Sequence, residues 1–132
     1  MENRGPAMCL DTAKQPQRGA YLVVMGDYLV AQDLAESIAY YDPTAEVILR
    51  HTVDEGAQAL EFVEHIEVAF VGDAPQRFAA SPFAKSLMQR GARVVLIGDE
   101  AEAQGDQAGW RVLQRPFSMS LVLAHLVGAP SV

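Results

Sequence analysis

The chain has 132 residues, 50% of them apolar and 20% charged, and its formal net charge is −7. That length suits one compact domain with its own core rather than two, and the composition is that of a globular chain, not a disordered one. The basic residues from Arg50 to Arg115 are scattered over an acidic background, which argues against binding of nucleic acid or an anionic membrane surface.

Residues 1–19, MENRGPAMCLDTAKQPQRG, contain no apolar signal-like run and read as a flexible tail. Cys9 is the only cysteine, so an internal disulfide and a thiolate metal site are both excluded, and a reducing cytoplasm is the expected setting. No apolar stretch approaches the roughly 20 residues of a membrane span.

From residue 20 onward, short apolar runs alternate with amphipathic stretches, the pattern of βα repeats around a parallel sheet covered on both faces. The first strand is AYLVVM, 20–25. Asp27 then opens a helix through YLVAQDLAESIAYY, where Leu29, Leu34, Ile38 and Tyr41 keep helical spacing and Asp42-Pro43 supplies the stop. AEVILR, 45–50, is the second strand, and Asp54 is the expected cap of a helix from about Glu55 to Glu64.

The third strand is EVAFV, 67–71. In QRFAASPFAKSLMQRG the internal Pro82 predicts an irregular lead into a helix that ends near Gly91. ARVVLI, 92–97, is the fourth strand, and the Gly-broken acidic segment GDEAEAQGDQAG after it predicts a short or frayed helix. WRVLQ, 110–114, is the fifth strand, and the last helix runs from Phe117 to Gly128 with Ser118 as cap. Residues 20–128 therefore form the domain, and 129–132 its C-terminal end or the start of a linker. Three of the strands finish in the same Gly-Asp pair, Gly26-Asp27, Gly72-Asp73 and Gly98-Asp99, at the sheet edge where doubly wound folds hold ligands.

Over residues 20–128 this pattern resembles the receiver domain of bacterial response regulators. The resemblance is carried by VVMGDYLVAQDL, similar to the family's strand one, acidic turn and first helix, and by VLQRPFSMSLVLAHL with its Arg115-Pro116-Phe117. It implies a flavodoxin-like, five-stranded parallel sheet of order 2-1-3-4-5, and a place in two-component signalling. In that family an acid pair after strand one binds Mg²⁺, and an Asp ending strand three accepts phosphate. A Ser or Thr after strand four contacts the phosphate, and a Lys before Pro pairs with it.

Carried over by position, those roles fall on Met25 and Gly26, Gly72, Gly98 and Arg115, and the family's aromatic switch position falls on Val112. Only the cation survives, as Arg for Lys, which is not a neutral exchange. The resemblance therefore implies a pseudo-receiver with a degenerate phosphoacceptor pocket: no enzyme, no cofactor and no metal. Sliding each strand end by one residue puts Asp27, Asp73 and Asp99 in the roles instead, as an alternative phosphoacceptor or an acidic rim, but the slip turns every strand side chain over. Helix capping is the expected role of these aspartates. His51, His65 and His125 share no ligand spacing.

After Arg115 the chain carries no Lys, Arg, Asp or Glu, and MSLVLAHLV is apolar around most of its circumference. In receivers the face built from helix four, strand five and helix five is the usual dimer or effector surface. Met119, Val122, Leu123 and Leu126 are accordingly expected to form a homodimer or partner interface. Two further readings stand beside this one: a small-ligand or anion-binding domain using Gly26, Gly72, Gly98 and Arg115, and an active phosphoacceptor using Asp73.

Overall fold

A computed structural model describes residues 20–105 and 109–127 of the chain. The expected tail 1–19 with Cys9, the helix end at Gly128 and the segment 129–132 lie outside the described residues. Five strands, β1 (Ala20–Val24), β2 (Glu46–Arg50), β3 (Ile66–Val71), β4 (Arg93–Leu96) and β5 (Arg111–Val112), form one parallel sheet of order β2-β1-β3-β4-β5. This is the flavodoxin-like, doubly wound arrangement, and it follows from the alternation of short apolar runs with amphipathic helices.

Side chains alternate across the sheet and separate two cores. Leu22, Val24, Ala69, Val71 and Leu96 face one side, with Leu60, Phe78, Phe83 and Leu87 packed on them. Tyr21, Val23, Met25, Phe70, Val95 and Ile97 face the other, against Leu34 and Ile38 of α1 (Tyr28–Tyr41) and Val122 and Leu126 of α6 (Met119–Leu126). The first and last helices thus share one face of the sheet.

Asp27 caps α1 by accepting from Leu29 N at 3.0 Å and Val30 N at 3.2 Å, and Asp42 ends it with its N–H on Ile38 O at 2.8 Å. The second helix departs from expectation. α2 (Val53–Ala59) is capped by Thr52, whose hydroxyl accepts from Glu55 N at 3.1 Å, so Asp54 is a first-turn residue and not the cap. A 3₁₀ turn, Leu60–Phe62, finishes it, and Val63 and Glu64 lie beyond.

The irregular lead at Pro82 is a second helix. α3 (Pro75–Ala79) stops at Ala80, and Ser81 starts α4 (Pro82–Gln89) by accepting from Ala84 N at 3.2 Å, with a proline in the first turn of each. Gly91, at φ 76°, closes α4, with Gly91 N on Met88 O at 3.0 Å and Ala92 N on Leu87 O at 3.1 Å. α5 (Asp99–Gln104) is short, as its glycines and acids predict. The fifth strand is shorter than expected: Trp110 precedes it, stacking edge-on against Phe78 at 5.2 Å, and Leu113 only adds an N–H to Leu96 O at 3.0 Å. Ser118 caps α6 through Leu121 N at 3.3 Å, and the helix starts at Met119 rather than Phe117. The Arg115–Pro116 peptide is cis.

Among the described residues no helix is long and apolar enough to cross a membrane.

Candidate functional site

The carboxyl ends of β3 and β4 open into a shallow cleft of about 350 Å³, lined by Gly72, Asp73, Ala74, Arg77, Ile97, Gly98, Asp99 and Glu100. Each strand end reaches it through one more ladder bond, Gly72 N to Val24 O at 2.8 Å and Ile97 N to Val71 O at 3.0 Å. Of the five positions expected to form a degenerate pocket, Gly72 and Gly98 line this cleft; Met25, Gly26 and Arg115 do not.

The three glycines stand in three different environments. At Gly72 an added β-carbon would stand 2.7 Å from the sulfur of Met25 and 3.3 Å from its terminal methyl, so the buried Met25 side chain occupies the space that a residue-72 side chain needs. At Gly98 nothing lies within 4 Å, but φ is +132° and ψ 172°, a conformation open essentially to glycine alone. At Gly26 the nearest atom to an added β-carbon is His51 O at 4.0 Å, so neither space nor backbone demands glycine. One shared loss of side chains does not account for all three.

The three aspartates diverge as well. Asp27 is spent on capping α1. Asp73, whose side chain is 10% exposed, accepts from Ala74 N and from Arg77 Nε, both at 2.8 Å, and the second of these bonds, with the Asp73 charge behind it, holds the Arg77 guanidinium protonated even more firmly than usual. Asp99 stands in the first turn of α5 and pairs with Arg115. Among the described residues no three His, Asp or Glu side chains cluster so as to hold a metal ion.

Arg115 is the expected pocket cation, yet it turns to α5. Its Nε donates to Glu102 Oε2 at 2.7 Å and its backbone N to the same oxygen at 3.1 Å, while a terminal nitrogen donates to Asp99. The Arg115 hydrogen bond is the main reason the Glu102 carboxyl lies below its ordinary range. Arg77 reaches α5 from the other side, 4.0 Å from Glu100. Two arginines thus pair with acids of the first turn of α5, and at the cleft Asp73, Asp99, Glu100 and the neighbouring Glu102 outnumber Arg77 and Arg115, a balance that disfavours anions.

The chain matches no family model, no curated protein and no solved structure.

At the β1–β2 end of the same edge, His51 Nδ1 lies 3.0 Å from Met25 O, and its ring stacks on Tyr28 at 3.8 Å. His65 pairs with Glu67 at 3.2 Å on the surface, and His125 stands in the last turn of α6, so the histidines stay apart. Val112 is half-buried against the face that carries α2 to α5.

The expected interface on α6 needs correction. Val122 is 0% exposed and Leu126 5%, both packed into the α1 face, so neither is a surface residue, and Leu123 is half-buried. The outward side of the helix carries Leu121 at 43%, Ala124 and Val127 at 58%, with Met119 at its first turn. Sequence reasoning missed Arg77 and Glu102. The four-residue spacing from Asp73 to Arg77 was a usable signal; the pairing of Arg115 with Glu102, across 13 residues, had none.

Proposed function

We propose that this chain is a receiver-like signalling module that acts by protein contact, without phosphoryl transfer or catalytic turnover, through the outward side of its last helix. The observation that carries the reading is the Met25 sulfur seated beside Gly72: apolar bulk fills the space where a phosphoacceptor side chain and its Mg²⁺-binding neighbour would stand. Arg115, bound by Asp99 and Glu102, has its charge already balanced and needs no phosphoryl group to do so. The outward side of α6, with Leu121, Ala124 and Val127 and no charged residue, suits a dry contact with a partner or a second copy. A cytoplasmic setting fits this role.

The anion-binding alternative would need Arg115 free and a cleft of the opposite charge. The active-receiver alternative would need Asp73 to leave Arg77 and Ala74 N. Incubation with acetyl phosphate and Mg²⁺ followed by intact-mass measurement tests the proposal. No adduct is expected, and an adduct lost in Asp73→Asn would overturn it in favour of the active receiver.

A further inference from the structure

His125 sits in the last turn of α6, where the helix meets the edge of the sheet. Its backbone carbonyl accepts from an Arg93 terminal nitrogen at 2.9 Å, which ties α6 to β4. Its Nδ1 is buried and, among the described residues, has no hydrogen-bond partner. The charged groups acting on the ring from the described residues are Arg111 on β5 and Arg93 on β4, both positive; none comes from α1, which meets α6 through Val122, Leu126, Leu34 and Ile38.

Protonating this imidazole in place would bury an unpaired N–H and add a third positive charge beside two arginines. Both effects oppose the charged form. Two others favour it: hydrogen bonding to the Val112 backbone, and the negative end of the α6 dipole. Burial leads, so the folded protein holds His125 below its ordinary 6.5, with Arg111 and Arg93 acting in the same direction.

We propose that the C-terminal half of α6 is a pH-sensitive latch, docked on β4 and β5 while His125 is neutral and released when the imidazole is protonated. The sign follows from linkage. The undocked helix binds a proton more readily than the docked one, so docking is fully supported above about pH 6.5 and weakens as pH falls below it. Release breaks the Arg93 bond to the His125 carbonyl and carries the ring into water. Because α6 also bears the outward apolar side, release would withdraw that surface; this consequence rests on the proposed function, whereas the latch does not.

Hydrogen–deuterium exchange on the full chain, corrected for the intrinsic pH dependence of exchange, tests the latch without reference to any partner. In the wild type the opening of amides 123–127 is expected to grow by up to about tenfold per pH unit between about pH 6.5 and 5, with β1 and β3 unaffected. His125→Gln, which keeps a polar side chain but cannot charge, is expected to abolish that slope. The same slope in both proteins would overturn the proposal. An NMR titration of wild-type His125 is a second measurement that needs no folded variant: titration below 6.5 is expected, and titration at or above 6.5 would overturn the latch.

Discussion

The sulfur of Met25 stands 2.7 Å from the place a β-carbon would take on Gly72, so the two residues share one volume across β1 and β3. A side chain can grow at one position only as the other retreats. Met25→Ala should cost about 2–5 kcal/mol through the cavity it leaves, and Gly72→Ala about 1–3 kcal/mol through overpacking. The double variant should cost less than the sum, by at least about 0.5 kcal/mol. Urea unfolding of the four proteins measures the coupling, and strict additivity would deny the shared volume.

Gly98 and Gly26 separate backbone from space. Gly98→Ala has room but must hold φ near +132°, and should lose about 1–3 kcal/mol. Gly26→Ala meets neither constraint and should stay within about 0.5 kcal/mol of wild type in the same unfolding measurement.

Thr52, not Asp54, closes the open end of α2. Thr52→Ala should therefore destabilise by about 1 kcal/mol, and Asp54→Ala by less, as read from thermal melts of both variants. Equal losses would return the cap to Asp54.

The brace on α5 should be acid-labile. Because Arg115 holds the Glu102 carboxyl below its ordinary range, the stabilisation it gives is present at neutral pH and is lost as pH falls through that lowered value. Glu102 is exposed enough for the effect to be small and salt-sensitive. Melting curves of wild type and Glu102→Gln should differ at neutral pH and low salt, and converge in acid or in high salt.

On α6 the outward and inward residues should respond differently to the same change. Leu121→Glu is expected to leave the melting temperature nearly unchanged and, where the proposed contact is with a second copy, to abolish self-association of the wild type in light scattering. Val122→Glu, which buries a charge between α1 and the sheet, should prevent folding. Self-association in Leu121→Glu equal to that of the wild type would remove α6 from the interface.

The parallel sheet was legible because buried strands leave continuous apolar runs, and helices that cover them keep a 3.6-residue period. Strand order entered through the likeness to receivers, which the apolar runs alone do not supply. What escaped was set by neighbours distant in sequence. Trp110 left the fifth strand to pack on Phe78, and Val122 and Leu126 turned inward because α1 lies beside α6. Thr52 and Asp54 are both acceptable caps by residue type, and only backbone geometry chose between them. At the candidate site, the repeated Gly-Asp endings looked like one feature, but a methionine sulfur constrains Gly72, a positive φ constrains Gly98, and neither constrains Gly26. The direction of Arg115 was invisible because Glu102 lies on a helix the sequence describes only as weak.

The sharing of one sheet face by α1 and α6 also bears on how the chain acquires its structure. The opposite face is covered by α2 to α5, each near its own strand in sequence, whereas Val122 must find Leu34 across most of the chain. Contacts of such long separation close late, after the entropy of a large loop has been overcome. Until then α1 alone covers that side, leaving Val95 and Leu113 without α6, and a chain caught in that interval exposes apolar surface that favours aggregation.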